Sequence, residues 1–140
     1  MKPMPCVTAA VILLSACVST NASLIDPTVH FARTCPDGIK LYTTPDRVGQ
    51  PYREVALLNA KGESNWSDEE DMIESMRDKA AEVGANGIIL SGIDEPSALT
   101  KVIGQVAKTG SQRKGKALAI YVPSDSTKTA MACANAAKNK

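Results

Sequence analysis

Few residues in this chain of 140 could carry chemistry. Its reactive side chains are 4 cysteines (Cys6, Cys17, Cys35 and Cys133) and 1 histidine, His30. His30 lies shortly before Cys35, but with no second histidine a metal site there is short of ligands. No serine occupies a nucleophile elbow, and the histidine has no acid or nucleophile arranged around it, so acid–base catalysis has no candidates. Gly110-Ser111-Gln112-Arg113-Lys114-Gly115-Lys116-Ala117 nearly spells a phosphate-binding loop. Its last position needs Ser or Thr to hold magnesium and is Ala117, and a strand follows where a helix is required. The stretch reads instead as a basic loop. Asp68-Glu69-Glu70-Asp71 could be taken for a calcium site, but acids at a helix start are explained by the helix dipole. Gly84-Ala85-Asn86-Gly87 is a helix stop followed by a turn. The expectation is a protein that is not an enzyme and takes no cofactor, metal or small-molecule substrate. Contact residues remain as candidates. Trp66, beside the helix start, is either a core lid or an exposed anchor for a partner. Lys108, Arg113, Lys114 and Lys116 form a basic cluster that is either solvated or meets acidic lipid, peptidoglycan or protein.

Cys17 stands in a more specific setting. Met1 to Pro5 carries Lys2 and no acid, and Val7 to Leu14 is apolar except for Thr8. That run is far too short for a bilayer, which needs roughly 20 apolar residues. Its order is that of a secretory signal peptide. Leu14-Ser15-Ala16-Cys17 is similar to a bacterial lipobox, in which the cysteine is acylated and the signal is cut before it. Residues 1–16 are then the signal peptide and Cys17 starts the mature chain. Ordinary cleavage nearby, for instance after Ala22, is the competing reading, and Cys6 is discarded in both. Several acyl chains make a stable anchor at about 0.8 kcal/mol per buried methylene. In lipoproteins of that kind an Asp directly after the cysteine signals retention in the inner membrane. Here that residue is Val18, so in a Gram-negative cell the resemblance implies the outer membrane, with the domain facing the periplasm.

The full chain holds 16 Lys and Arg against 15 Asp and Glu, so losing Lys2 leaves a balanced mature protein. Such a chain lacks the basic excess expected of a nucleic-acid binder. Cys35 and Cys133 then remain in an oxidising compartment, where a disulfide is the usual outcome. Free thiols, an intermolecular bridge and a metal site are the alternatives. A bridge across a loop of about 100 residues stabilises by up to about 4–5 kcal/mol in the chain-entropy model.

The elements that must hold these residues follow from periodicity. Residues 17–36 are mostly small and polar, and read as a flexible tether of up to about 65 Å. The folded domain spans residues 37–123. Ile39–Tyr42 and Tyr52–Asn59 read as strands, with Lys61-Gly62-Glu63-Ser64 closing the second. Ser67 and Glu70 form a capping box for a helix over Asp68–Val83. Met72, Ile73, Met76, Ala80 and Val83 form its apolar stripe, and Gly84 its left-handed cap. Ile88-Ile89-Leu90 is a buried strand. Glu95–Thr109 is either helix or loop. Gly115–Val122 is the last strand, with Leu118, Ile120 and Val122 on one face, and residues 124–140 form a polar, alanine-rich tail. The fold class is α+β: about four strands with one main amphipathic helix, in the order β-β-α-β-β, lipid-tethered.

The runs IKLYTTPDRVGQPYREVALLNA, MIESMRDKAAEVGANGIILSG and KALAIYVP resemble the periplasmic domain of the RcsF family. These outer-membrane lipoproteins sense envelope damage for the Rcs phosphorelay. The resemblance covers Gly38 to Val122 and is most specific in Tyr42–Val55 and Lys79–Leu90. YbjQ-like domains share a similar strand-strand-helix-strand pattern. The resemblance implies a lipid-anchored interaction module whose contacts with envelope proteins carry a signal. Members of the family pair cysteines inside the folded domain, whereas this chain has none between Gly38 and Val122. Their tether is also longer and richer in proline. The function expected is an outer-membrane lipoprotein with a periplasmic protein-interaction domain, sensing or relaying envelope stress. The alternative is a structural lipoprotein that binds cell-wall or outer-membrane components without signalling.

Overall fold

The computed structural model describes residues 18–63, 67–94 and 112–139. Five strands form one sheet: β1 (Ser19–Leu24), β2 (Lys40–Tyr42), β3 (Arg53–Glu63), β4 (Gly87–Asp94) and β5 (Gln112–Tyr121). Two helices accompany it, α1 (Glu69–Glu82) and α2 (Ser126–Lys138). The strand order is β1-β3-β5-β4-β2, antiparallel throughout except for the parallel β2–β4 pair. The architecture is the α+β layer expected, with one more strand and one more helix.

β3 shows why the sheet has two unlike faces. Ala56, Leu58, Ala60 and Gly62 are buried, while Leu57, Asn59, Lys61 and Glu63 between them are exposed. A period of two of this kind places one set of residues under a helix and the other in solvent. The strand continues through Lys61-Gly62-Glu63, which the sequence reading had made its closing turn. Gly62 remains in the ladder opposite Arg113, and a Cβ there would run into the Ser67 hydroxyl. The glycine therefore marks a close approach of the chain entering α1 and not a turn.

α1 covers the buried face with Met72, Met76, Ala80 and Ala81, while Ile73 and Val83 are half-buried. Its N-cap is Asp68, one residue later than expected. Asp68 accepts from the Asp71 N–H at 2.9 Å, and the Asp71 carboxylate accepts from the Asp68 N–H at 3.0 Å. Ser67 donates instead to the Glu63 carbonyl at 2.6 Å. Its hydroxyl is thus committed to the end of β3, and the next good capping residue takes over. Gly84 ends the helix with φ +80°, as expected, and a Cβ there would lie 2.7 Å from the Ala32 carbonyl oxygen.

Beneath α1, Leu58, Ala60, Met72, Met76, Ile88, Ala117 and Ala119 make the main core. Alanines on β3 and β5 leave room for the two methionines, each worth about 1.5–3 kcal/mol when fully buried. A second, smaller cluster occupies the other face at one end: Val48, Ile89, Ile120 and Val122, flanked by Tyr42, Tyr52 and Leu118.

Two segments differ from the sequence reading. Residues 17–36 had been expected as a tether, yet Ser19–Leu24 pairs with β3 from Lys61 to Ala56. Val18, Ala22 and Phe31 pack against the main core. Thr20 and Ser75 share a hydrogen bond at 2.7 Å, and the Thr34 hydroxyl donates to the Ala85 carbonyl at 2.6 Å. Small polar residues suffice for an edge strand because the ladder itself supplies the contacts. Residues 124–140, expected as a tail, hold a 3₁₀ turn over Pro123–Asp125 and then α2. Alanine is the strongest helix former, and a covalent bond fixes the helix in place. The alternatives for Glu95–Thr109 fall outside the described residues.

Candidate interaction surface

The sheet face opposite α1 carries no α-helix among the described residues, and at one end Val48 of the 3₁₀ turn Pro45–Val48 packs on it. The composition of the face follows from register. In the row nearest the start of β1, Ser19 pairs with Lys61, Lys61 with Lys114 and Lys114 with Asp94. In the next, Asn21 pairs with Asn59 and Asn59 with Lys116. In the third, Ser23 meets Leu57, which meets Leu118, which meets Ile89. Successive rows are roughly 7 Å apart. The face thus runs from basic to apolar, and Leu57 is 54% exposed at its apolar part. Lys61, Lys114 and Lys116 are exposed, and none forms an ion pair among the described residues.

Of the expected contact residues, Lys114 and Lys116 lie on this face. They belong to β5 and not to the basic loop that the sequence reading had drawn. Strand alternation sends Arg113 the other way, where it is half-buried and donates to the Ser67 carbonyl at 2.8 Å. Trp66 and Lys108 lie outside the described residues. Lys61 had been missed, because its place beside Lys114 depends on the pairing of β3 with β5. The opposite side of the molecule is acidic: Glu69, Glu70, Glu74, Asp78 and Glu82 are exposed on α1.

Cys35 and Cys133 form the disulfide, with Cα atoms 5.6 Å apart and a sequence separation of 98. It ties the turn Pro36–Gly38 to α2. Gly38 is buried there, and a Cβ on it would sit 2.8 Å from Thr129 Cγ2. A cleft of about 520 Å³ opens beside the bridge, between residues 31–35 and α2, with Tyr121 and Asn86 in its lining. Phe31 stacks tilted on Tyr121 at 4.9 Å between centroids, with the Arg53 guanidinium over its ring.

At the other side of α2, Lys40 pairs with Asp125 at 2.8 Å and Lys128 with the same carboxylate at 3.3 Å. The hydrogen bond from Lys40 holds the buried Asp125 carboxyl below its ordinary range, against the opposing effect of burial. The same bond raises Lys40 above the ordinary lysine value. No group of three or more His, Cys, Asp or Glu is gathered for a metal among the described residues. No described helix is long and apolar enough to cross a membrane.

No protein-family model matches the chain, and no curated protein does. Among solved structures, the chain is similar to a Francisella virulence factor, FvfA, with a TM-score of 0.50 and 13% identity. The match covers 73% of this chain and 96% of FvfA. At that identity the likeness is one of fold.

Proposed function

We propose that the protein is a lipoprotein of the outer membrane, anchored through Cys17, whose periplasmic domain is a non-enzymatic protein-interaction module that relays envelope stress. The observation that carries this reading is the position of Cys17 relative to the fold. Val18 already packs on the core and β1 begins at Ser19. The lipobox cysteine thus sits at the domain boundary, whereas a cut after Ala22 would divide β1 and discard most of its ladder with β3. The Cys35–Cys133 bridge suits an oxidising compartment. The resemblance to the RcsF family supplies the signalling role.

One observation favours the structural alternative. Residues 18–36 are held in the fold, so no spacer separates the domain from Cys17. Its partner must lie at the membrane surface, as a cell-wall or outer-membrane component does. Two experiments test these readings. Cys17→Ala releases the protein from membranes if Cys17 is the anchor, and continued retention overturns that assignment. Deleting the gene and following an envelope-stress reporter under outer-membrane damage separates the two roles. An unchanged response removes the signalling version and leaves the structural one.

A further inference from the structure

We infer that Lys61, Lys114 and Lys116 bind the anionic phospholipid headgroups of the membrane that holds Cys17, seating the domain on the bilayer by its open sheet face. The inference rests on the Cys17 anchor. Ser19, two residues beyond the anchor, is at most about 7 Å from it. Lys61 is the register partner of Ser19, and Lys114 is the register partner of Lys61. Lys116 is in the following row. All three ammonium groups therefore belong to the part of the face nearest the lipid, on the scale of the roughly 8 Å screening length at physiological salt.

Two lysines directly opposed on one face repel, and this arrangement contributes nothing to the sheet itself. An anionic surface relieves that repulsion. By register this face carries three acids: Asp94 opposite Lys114, Glu63 two residues beyond Lys61, and Glu54 at the far end of β3, so at the end near Ser19 three lysines stand with two acids. The exposed acids of α1 lie on the far side of the sheet and would face away from the bilayer. Leu57 and Leu118 continue the same face with apolar surface, and a basic patch joined to an apolar one is the pattern that settles at a headgroup boundary. Cell wall and acidic protein are the competing occupants. The lipid is favoured because the chain is held beside it, and Lys61 and Lys114 share the row of Ser19, two residues beyond the anchor, with Lys116 in the next.

The test uses the purified, acylated full chain in vesicles, with its lysines labelled by a water-soluble amine reagent and mapped by mass spectrometry. Flotation with neutral phosphatidylcholine vesicles reads the anchor alone. Labelling in vesicles containing phosphatidylglycerol reads the seat. Lys61, Lys114 and Lys116 are expected to react roughly fivefold more slowly with phosphatidylglycerol present, the factor matching about 1 kcal/mol per lysine at an anionic surface. High salt should abolish the difference, and Lys79 on α1 and Lys138 on α2 should show none. Substituting K61Q, K114Q and K116Q together should leave flotation with neutral vesicles unchanged. A chain that floats with neutral vesicles but shows no lysine protection in anionic ones overturns the seat and spares the anchor. Protection that appears only when peptidoglycan or cell extract is added also overturns it, in favour of a wall or protein partner. Failure to float with neutral vesicles overturns both.

Discussion

Asn86 bonds both backbone groups of Val122, whose carbonyl also accepts from the Asp125 N–H. The Asn86 side-chain oxygen accepts from the Val122 N–H at 2.7 Å, and its amide donates to the Val122 carbonyl at 2.8 Å. Its own N–H donates to Ile120 and its carbonyl accepts from the Lys40 N–H. One residue, 2% exposed, therefore joins the starts of β2 and β4 to the end of β5.

Asn86→Ala leaves the buried Val122 N–H without an acceptor, while the Val122 carbonyl keeps the Asp125 N–H. One unsatisfied buried group costs about 1–3 kcal/mol, and a loss of that size is expected. Urea denaturation of the variant against the parent chain reads this directly. A loss below half a kcal/mol would mean that water reaches Val122 and replaces the side chain.

Reducing the disulfide removes the covalent hold on α2. A stability loss of about 2–4 kcal/mol is expected on reduction or in Cys133→Ser. α2 packs chiefly on the turn Pro36–Gly38, so amide exchange should rise there before it rises in α1. Thermal melts with and without reductant, paired with exchange measurements, check both parts. Equal exchange rates in the two helices would show that α2 docks without the bridge.

The Lys40–Asp125 pair makes stability depend on pH in a defined direction. Asp125 is held below its ordinary value by the hydrogen bond from Lys40, then by the bond from Lys128. A depressed carboxylate stabilises the fold fully above the unfolded aspartate value, near 4, and loses that contribution as pH falls through its folded value. Lys40 is raised, so its contribution is complete below the ordinary lysine value and lost as pH rises through the raised one. Between about pH 4 and pH 10 the pair should add a constant amount. Asp125→Asn should flatten the fall in stability below about pH 4. Denaturation midpoints across that acid range, in parent and variant, decide it.

What the sequence disclosed depended on how much each element relies on its own side chains. α1 was legible because Met72, Met76 and Ala80 fall on one helical stripe and Gly84 stops it. Its cap shifted by one residue, since Ser67 and Asp68 are both good caps and only the fold shows that Glu63 takes the serine. β1 was hidden: Ser19, Thr20, Asn21 and Ala22 have no strong apolar alternation, and the strand exists through its ladder with β3. α2 was hidden by its alanines, which read as a tail until the bridge holds them. The basic face was half legible. Lys114 and Lys116 are neighbours in sequence, but alternation removed Arg113 from their company and strand pairing added Lys61.

The bridge between Cys35 and Cys133 also turns most of the domain into a covalent ring. A protease that cuts the backbone once anywhere between those residues opens the ring without dividing the molecule. Such a nicked chain runs as one species on a non-reducing gel and as two fragments on a reducing one. The part of the chain that leads back to Cys17 stays attached through sulfur even when the peptide path is severed.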